Sequence, residues 1–208
     1  MNIKKITQLL MGLFVYALGI VLTLQANMGV TPWNTFHLGV SMKTGMTIGT
    51  TISVTGLVII IFNIFAKEKI GVGTILNMWL IGVFVDLLLN INVIPKATTL
   101  MGGLVLIFSG MIVIAVASWL YIGAGLGAGP RDGLMVAFMK WTGKPVGIVR
   151  PSIEITVLLI GILLGGEIGI GTPLIALTLG PICQIVFKIV GFDVKGIQHK
   201  YIEFKKAA

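Results

Sequence analysis

Two short motifs, Thr31-Pro32-Trp33-Asn34 and Gly129-Pro130-Arg131-Asp132, are the part of this sequence best suited to binding a ligand. Each has a proline where a helix tolerates it best, at the first helical position, so each motif predicts a helix start. A helix start presents free backbone N–H groups and the positive end of the helix dipole. Trp33 can stack on a ligand, and the planar guanidinium of Arg131 can hold a carboxylate or phosphate with two donors. The alternative is an interfacial anchor for Trp33 and a basic-loop role for Arg131.

Asp86 is the second candidate, because it lies inside an apolar run where a charged group is expensive. Asn77 is nine residues earlier on the same predicted helix, and Gln184 has the equivalent place in the second half of the chain. We expect Asp86 to serve as a proton or cation site or as a substrate contact. The alternative is a structural carboxylate near the end of the helix, hydrated or paired.

Three further polar residues are secondary candidates. His37 follows Trp33 by four residues, which places both on one side of the predicted short helix. Arg150 and Glu154 also stand four apart, so they can pair on one helix face. That pair either fixes the depth of its helix or contributes a gate or an anion contact.

Metal and covalent chemistry have no matching pattern. The chain has two histidines and one cysteine, which supply no metal-ligand spacing. It also lacks a phosphate-binding loop, a dinucleotide fingerprint and a nucleophile elbow. We therefore expect no cofactor, no metal and no enzymatic activity.

The elements that position these residues come in two copies, residues 1–99 and 100–190. Clustered glycines and their neighbours repeat at a fixed offset of 98 positions. Matching pairs are Gly12 and Gly110, Gly29 and Gly127, Pro32 and Pro130, Gly45 and Gly143, Gly49 and Gly147, Gly71 and Gly169, Gly73 and Gly171, and Gly82 and Gly180. Duplicated membrane halves are a common way to build a transporter.

Composition identifies a membrane protein. The chain of 208 residues is 56% hydrophobic and 11% charged, with a mean hydropathy of +1.05, whereas soluble domains carry about 25% charge. The net charge of +8 comes from lysines between and after the apolar runs, without a basic patch that indicates nucleic-acid binding. Six runs reach or approach the roughly 20 residues needed to cross a bilayer. They are Ile6–Gln25, Ile48–Ala66, Val72–Ile91, Leu100–Ala124, Ile148–Gly165 and Ile170–Val190.

The sequence thus predicts an all-α, polytopic helix bundle of about six transmembrane helices, three per repeat. Pro32–Met42 and Pro130–Trp141 are too short to cross, at about 1.5 Å per residue, and are predicted half-helices, re-entrant or interfacial. Three crossings per copy would invert the second copy relative to the first. If the half-helices crossed as well, the repeats would be parallel; segment length favours six crossings.

Lysine and arginine positions predict the orientation in a bacterial inner membrane, with both termini in the cytoplasm. Only Lys43 and Lys96 then lie outside. The inner side collects Lys4, Lys5, Lys67, Lys69, Arg131, Lys140, Lys144, Arg150, Lys188, Lys195, Lys200, Lys205 and Lys206. Residues 191–208 form a basic tail. Its apolar positions Val194, Ile197, Tyr201 and Phe204 predict an amphipathic helix on the membrane surface, with a solvated tail as the alternative.

The segments Asn27–Asn34 and Gly125–Met135 resemble the YczE/YyaS/YitT family of bacterial integral membrane proteins, and the YczE branch most closely. The Gly-Pro-Arg-Asp-Gly-Leu-Met run at residues 129–135 is the most specific part of this resemblance. It implies a bacterial multi-pass membrane protein of about this length and brings no agreed substrate.

From the candidate residues we expect a small transporter or permease of unknown substrate, which lies in the lipid bilayer as a monomer or a homodimer. Its site would lie between the repeats and include Thr31, Trp33, Asn34, Asp86, Gly129, Arg131, Asp132 and Gln184. One alternative is the substrate-binding membrane subunit of an ATP-driven importer. The other is an accessory or regulatory membrane protein that transports nothing.

Overall fold

The computed structural model describes residues 3–202, apart from the side chain of Lys195. The described chain is all-helical, with eight α-helices and one short 3₁₀ turn. The helices are α1 (Ile3–Gln25), α2 (Pro32–Thr44), α3 (Ile48–Phe65), α4 (Val72–Asn90), α5 (Leu100–Gly123), α6 (Pro130–Thr142), α7 (Val146–Leu163) and α8 (Gly171–Ile189). The 3₁₀ turn covers Val194–Gly196.

Six of the described helices are long and apolar enough to cross a membrane: α1, α3, α4, α5, α7 and α8. This confirms the predicted fold class. The other two helices, α2 and α6, have 13 residues each and extend about 20 Å. Both begin at a proline and end before a glycine in the left-handed conformation, Gly45 or Gly143, which stops the helix.

The two ends of the bundle differ in charge. α1 begins, α4 begins and α5 ends at one end, which we call the basic end because Lys5, Lys67 and Lys69 lie there. At the opposite end, Ala97 N–H donates to the Gln25 carbonyl across 2.8 Å, joining the α4–α5 loop to the end of α1. α2 both begins and ends toward the opposite end, and α6 does so toward the basic end. Neither half-helix crosses the bundle.

Backbone contacts in the two halves occur in reciprocal pairs. Gly73 N–H donates to the Leu126 carbonyl across 2.7 Å, and Gly171 N–H donates to the Met28 carbonyl across the same distance. Gly171 lies 98 positions after Gly73, and Leu126 lies 98 positions after Met28. The donor of the first contact is in the first half of the chain, and the donor of the second contact is in the second half. The same exchange relates the helix pairs, because α2 packs on α7 while α6 packs on α3.

The centre of the bundle is the contact between α1 and α5. Small residues let these helices approach closely, as is usual in lipid. A side chain at Gly19 would come within 3.0 Å of the Gly110 carbonyl oxygen, and one at Gly12 within 2.7 Å of the Tyr121 backbone nitrogen. α4 packs beside α1 and α8 beside α5, so α1 and α5 form the frame around which the other helices are arranged.

The remaining helix pairs are not equivalent. α3 and α4 touch where Gly49 faces Gly82, and a Cβ on either glycine would collide with the carbonyl oxygen of the other. The equivalent positions of α7 and α8 are Gly147 and Gly180, and a Cβ at either would meet no atom within 4 Å. Helices α3 and α4 are therefore in contact near the end opposite the basic end, which we call closed, while α7 and α8 are apart near the basic end, which we call open.

The tail differs from the prediction of a surface helix. After one 3₁₀ turn, residues 197–202 have no regular secondary structure and lie across the loops of the basic end. Lys200 N–H donates to the Gly125 carbonyl and Ile202 N–H to the Ile70 carbonyl, each across 2.8 Å. The predicted α-helix is wrong for Ile197 and Tyr201, because these hydrogen bonds to loop carbonyls replace those of a helix. Val194 lies in the 3₁₀ turn, and Phe204, Lys205 and Lys206 lie outside the described residues. We call residues 197–202 the strap.

Candidate functional site

Arg131 and Trp33 bring the two predicted helix starts together. Each is the second residue of its half-helix, α6 for Arg131 and α2 for Trp33. The two half-helices lie toward different ends of the bundle, and the two side chains meet between them. The guanidinium carbon of Arg131 lies 4.3 Å from the centre of the Trp33 ring. A cation over the face of tryptophan is stabilised by the ring quadrupole. The cation of one half-helix is therefore held by an aromatic ring of the other.

His37 is the second contact of Arg131. Its Nε2 atom lies 3.5 Å from Nη2 of Arg131, and its side chain is completely buried. The other ring nitrogen, Nδ1, is buried without a hydrogen-bond partner among residues 3–202. His37, a secondary candidate from the sequence, thus lies with Arg131 and Trp33, and we call the contact of these three residues the meeting point.

Glu154 lies near Trp33 and Arg131, and both side chains influence its carboxylate. The predicted pair of Arg150 with Glu154 is wrong, since the described residues have no ion pair between them within 4.0 Å. Arg150 is exposed and Glu154 is half-buried, and Arg150 acts on the Glu154 carboxylate electrostatically without a close ion pair.

Asp132 completes the start of α6. Its Oδ2 accepts a hydrogen bond from Gly129 N–H across 3.1 Å, as in a capping box. A Cβ at Gly129 would lie 3.7 Å from the Tyr121 hydroxyl and 3.8 Å from Oδ1 of Asn77, so these groups surround the same point. Asn77 therefore lies with the α6 start rather than with Asp86.

The start of α2 is capped differently. Asn34 N–H donates to Oγ1 of Thr31 across 3.2 Å, so Thr31 is the N-cap. The Asn34 side chain is buried, with 3% of its surface exposed. Thr31 and Gly129 are therefore equivalent N-cap positions, but the Thr31 hydroxyl caps α2, whereas Asp132 binds the N-cap N–H of α6. Trp33 and Arg131 are the residues that meet across the bundle.

Asp86 is placed apart from this meeting point. One carboxylate oxygen accepts from the Thr47 hydroxyl and the other from Gly49 N–H, at 2.8 Å for the latter. Thr47 is the N-cap of α3, so Asp86 fastens α4 to the start of α3 at the closed Gly49–Gly82 contact. Gln184, its equivalent on α8, is exposed. The structure does not bring Asp86 and Gln184 together with the half-helix starts.

Residues that sequence reasoning missed complete the surroundings. Tyr16 and Tyr121 pack edge to face with ring centres 6.0 Å apart, and both are electrostatic neighbours of Arg131. Asn63 donates from Nδ2 to the Pro130 carbonyl across 2.8 Å, and its buried Oδ1 has no partner within residues 3–202. A buried asparagine in an apolar run was the available signal for Asn63. Nothing in the sequence distinguishes the two tyrosines from other interfacial aromatics.

Two cavities lie near the ends of the bundle. One, of about 190 Å³, is bordered by Asn63, Asp132 and Lys140 at the basic end. The other, of about 520 Å³, is bordered by Gly29, Thr98 and Glu167 at the opposite end. In the part of the chain that the structure describes, histidine, cysteine and carboxylate side chains form no group of three suited to a metal ion.

Comparison with known proteins places the chain among bacterial membrane proteins. The model of DUF6198, a family of unknown function, matches residues 3–188. The uncharacterized membrane protein YczE of Bacillus subtilis is 37% identical over 83% of this chain and 80% of its own length. An uncharacterized protein of Haemophilus influenzae is 33% identical over 90% and 85%, respectively, and the uncharacterized protein YyaS of Bacillus subtilis is 25% identical over 86% and 90%. No solved structure matches.

Proposed function

This chain belongs to the family DUF6198 and is related to the YczE and YyaS proteins, and we propose that it is a small transporter that binds its substrate at Arg131, Trp33 and His37. The meeting of the two half-helix starts at Arg131 carries this proposal. In transporters built from inverted repeats, broken-helix starts at the repeat interface bind the charged part of the substrate. Arg131 lies at such a helix start and carries a cation that can bind an anionic group.

The inverted repeat is part of the proposal. It is supported by the reciprocal hydrogen bonds of Gly73 with Leu126 and of Gly171 with Met28, and by the exchange of half-helices between the two halves. The excess of lysine and arginine at one end supports the cytoplasmic placement of that end, as the positive-inside rule predicts. On this basis both termini face the cytoplasm of a bacterial inner membrane.

The unequal glycine contacts support an alternating mechanism. The state described here has the Gly49–Gly82 contact closed and the Gly147–Gly180 pair apart. In an inverted repeat, the two halves can exchange these arrangements. The Gly49–Gly82 contact would then open and the Gly147–Gly180 pair would close, so that Arg131 is reached from the end opposite the basic end. Arg150 and Glu154 lie on α7 beside the open pair and would line the entrance from the basic end.

A disulfide-trapping experiment tests this mechanism. Gly147→Cys and Gly180→Cys are introduced together with Cys183→Ser, and the protein is oxidised in membranes. Because a disulfide needs the two Cα atoms within about 7 Å, a bond within one chain forms only if α7 and α8 close. We expect a cross-linked product at monomer mass.

The control is the pair Gly147→Cys with Ile185→Cys, in which Ile185 is exposed and lies more than one turn beyond Gly180. Failure of the Gly147–Gly180 pair to cross-link, or a product only at dimer mass, would contradict alternation at this contact. The accessory-protein alternative would then be favoured.

A further inference from the structure

The donors at the meeting point outnumber the acceptors. A guanidinium has five N–H donors and no acceptor. Within residues 3–202, the hydrogen-bonding contact of Arg131 is with one nitrogen of His37, and its remaining contact is with the Trp33 ring. No carboxylate of the described chain lies within 4.0 Å of it. Most of its N–H groups are therefore without a protein acceptor.

His37 adds another donor. Because arginine can only donate, the Nε2 atom of His37 that faces Arg131 must be the acceptor. In the neutral ring the proton then sits on Nδ1, which is the buried atom without a partner. The unpartnered atoms of Arg131 and His37 are thus of one kind, N–H groups that require an acceptor.

The two nearby carboxylates form no ion pair with Arg131 within 4.0 Å. Asp132 accepts from Gly129 N–H at the start of α6, and Glu154 lies on α7 near the Trp33 side chain. Both are close enough to Arg131 to act on it electrostatically. They leave the guanidinium free for a ligand, but they also repel any ligand with a high negative charge.

From these observations we propose that the ligand is a carboxylate with a single negative charge, bound by the N–H groups of Arg131 with His37 nearby. A carboxylate is an acceptor with two oxygens that match the two-pronged guanidinium. A phosphate dianion would place two negative charges near Asp132 and Glu154, with the single cation of Arg131 to balance them. This inference rests on the proposed function, because it uses the same site.

The experiment measures the thermal unfolding midpoint of the full-length protein in detergent, since a ligand that binds the folded state raises it. The probes are propionate and benzoate, their neutral amides propionamide and benzamide, and inorganic phosphate, all at one ionic strength set with sodium chloride. We expect at least one of the two carboxylates to raise the midpoint, and neither the amides nor phosphate to do so.

The variants are Arg131→Gln and Arg131→Lys, with Lys43→Gln as the control that removes an exposed cation from the end of α2. Arg131→Gln should abolish the shift, and Arg131→Lys should weaken the affinity by about tenfold or more, because lysine keeps the charge and loses the fork. Lys43→Gln should keep the shift. If Arg131→Gln fails to unfold cooperatively, Arg131→Lys decides.

Three outcomes would overturn the assignment: an Arg131-dependent shift with phosphate, equal shifts with an amide and its carboxylate, or no shift with either carboxylate. The first two would leave the proposed binding site standing with a different ligand class. Failure of the Gly147–Gly180 cross-link would instead remove the transport mechanism while leaving a carboxylate-binding site.

Discussion

At the residue scale, the stabilisation of Arg131 is unusual for a cation inside a membrane protein. Its partners are an aromatic face and a neutral imidazole rather than a carboxylate. A cation–π contact removed from water contributes about 2 kcal/mol but uses none of the N–H donors of the guanidinium. These donors therefore remain able to bind an added acceptor.

The sequence anticipated part of this arrangement. The two proline motifs predicted the helix starts, and Trp33 and Arg131 followed from their positions next to those prolines. The role of Asp86 did not follow, because its partner, the start of α3, is 37 residues away from it in sequence at Gly49. The partners of Asn63 and Tyr121 likewise depend on how α6 packs, which local pattern does not encode.

Asp86 gives the first prediction. Asp86→Ala removes the acceptor of the Thr47 hydroxyl and of Gly49 N–H, and hydrogen bonds to a charged group contribute about 1.5–3 kcal/mol. We expect the thermal unfolding midpoint to fall clearly for Asp86→Ala and less for Asp86→Asn, which keeps an amide oxygen for Gly49. Gln184→Ala, at the exposed equivalent position, is the control and should leave the midpoint unchanged. An equal effect of the substitutions at both positions would contradict the assigned contact.

At the element scale, the α3–α4 and α7–α8 pairs show that equal glycine positions do not give equal packing. Glycines 49 and 147, and likewise glycines 82 and 180, stand at the fixed offset of 98 positions. One pair is closed and the other is open. The positions of glycines in a sequence therefore do not determine by themselves how closely two helices pack.

The second prediction compares Gly82→Leu with Gly180→Leu. A leucine at Gly82 collides with the carbonyl of Gly49, so we expect it to lower the free energy of unfolding by about 1–3 kcal/mol. A leucine at Gly180 meets open space and should leave stability unchanged or raised, because leucine favours a helix more than glycine does.

Gly180→Leu should also keep α7 and α8 apart. Cys183, which is partly exposed on α8, should then react faster with a membrane-impermeant maleimide in inverted vesicles than it does in the unmodified protein. Equal reaction rates, with the protein still folded, would show that α7 and α8 do not close at this position.

The strap supplies the third prediction, which concerns pH. Nδ1 of His199 accepts from Gly127 N–H across 3.3 Å, so docking requires a neutral ring. Burial lowers the pKa of His199 below its usual 6.5, and Asp132 opposes this in part. Because the folded pKa is lowered, the stabilisation is complete above pH 6.5 and is lost as the pH falls through the folded pKa.

A spin label on Gln198→Cys, in a Cys183→Ser background, should therefore become more mobile when the pH is lowered from about 8 to about 5. His199→Gln carries no titratable group, so its label mobility should be the same at both pH values. A pH effect that persists in His199→Gln would assign the change to another group, and an immobile label in the parent protein at low pH would contradict the prediction.

At the scale of the whole molecule, hydropathy and periodic glycines sufficed for the class of fold. The six spanning helices and the two half-helices agree with the predicted ranges to within a few residues. The strap did not follow, because spacing that suits a helix is outweighed by the hydrogen bonds from Lys200 and Ile202 to loop carbonyls. Such partners exist only once the loops of the basic end are assembled.

The last prediction concerns orientation, which decides from which side Arg131 is reached in the described state. The basic end holds the Glu68 loop, where Glu68 pairs with Lys140 across 2.7 Å, and Lys96 lies in the loop at the opposite end. Positive loops remain in the cytoplasm because lysine and arginine resist transfer across the membrane. In a Cys183→Ser background, Lys96→Cys should therefore react with an impermeant thiol reagent on intact cells, and Glu68→Cys should react only after the membrane is opened.

Lys67→Cys, beside Glu68, is the control for loss of the Glu68–Lys140 ion pair and should behave as Glu68→Cys does. Reaction at residues 67 and 68 but not 96 on intact cells would reverse the orientation, and the open α7–α8 pair would then face the outside of the cell.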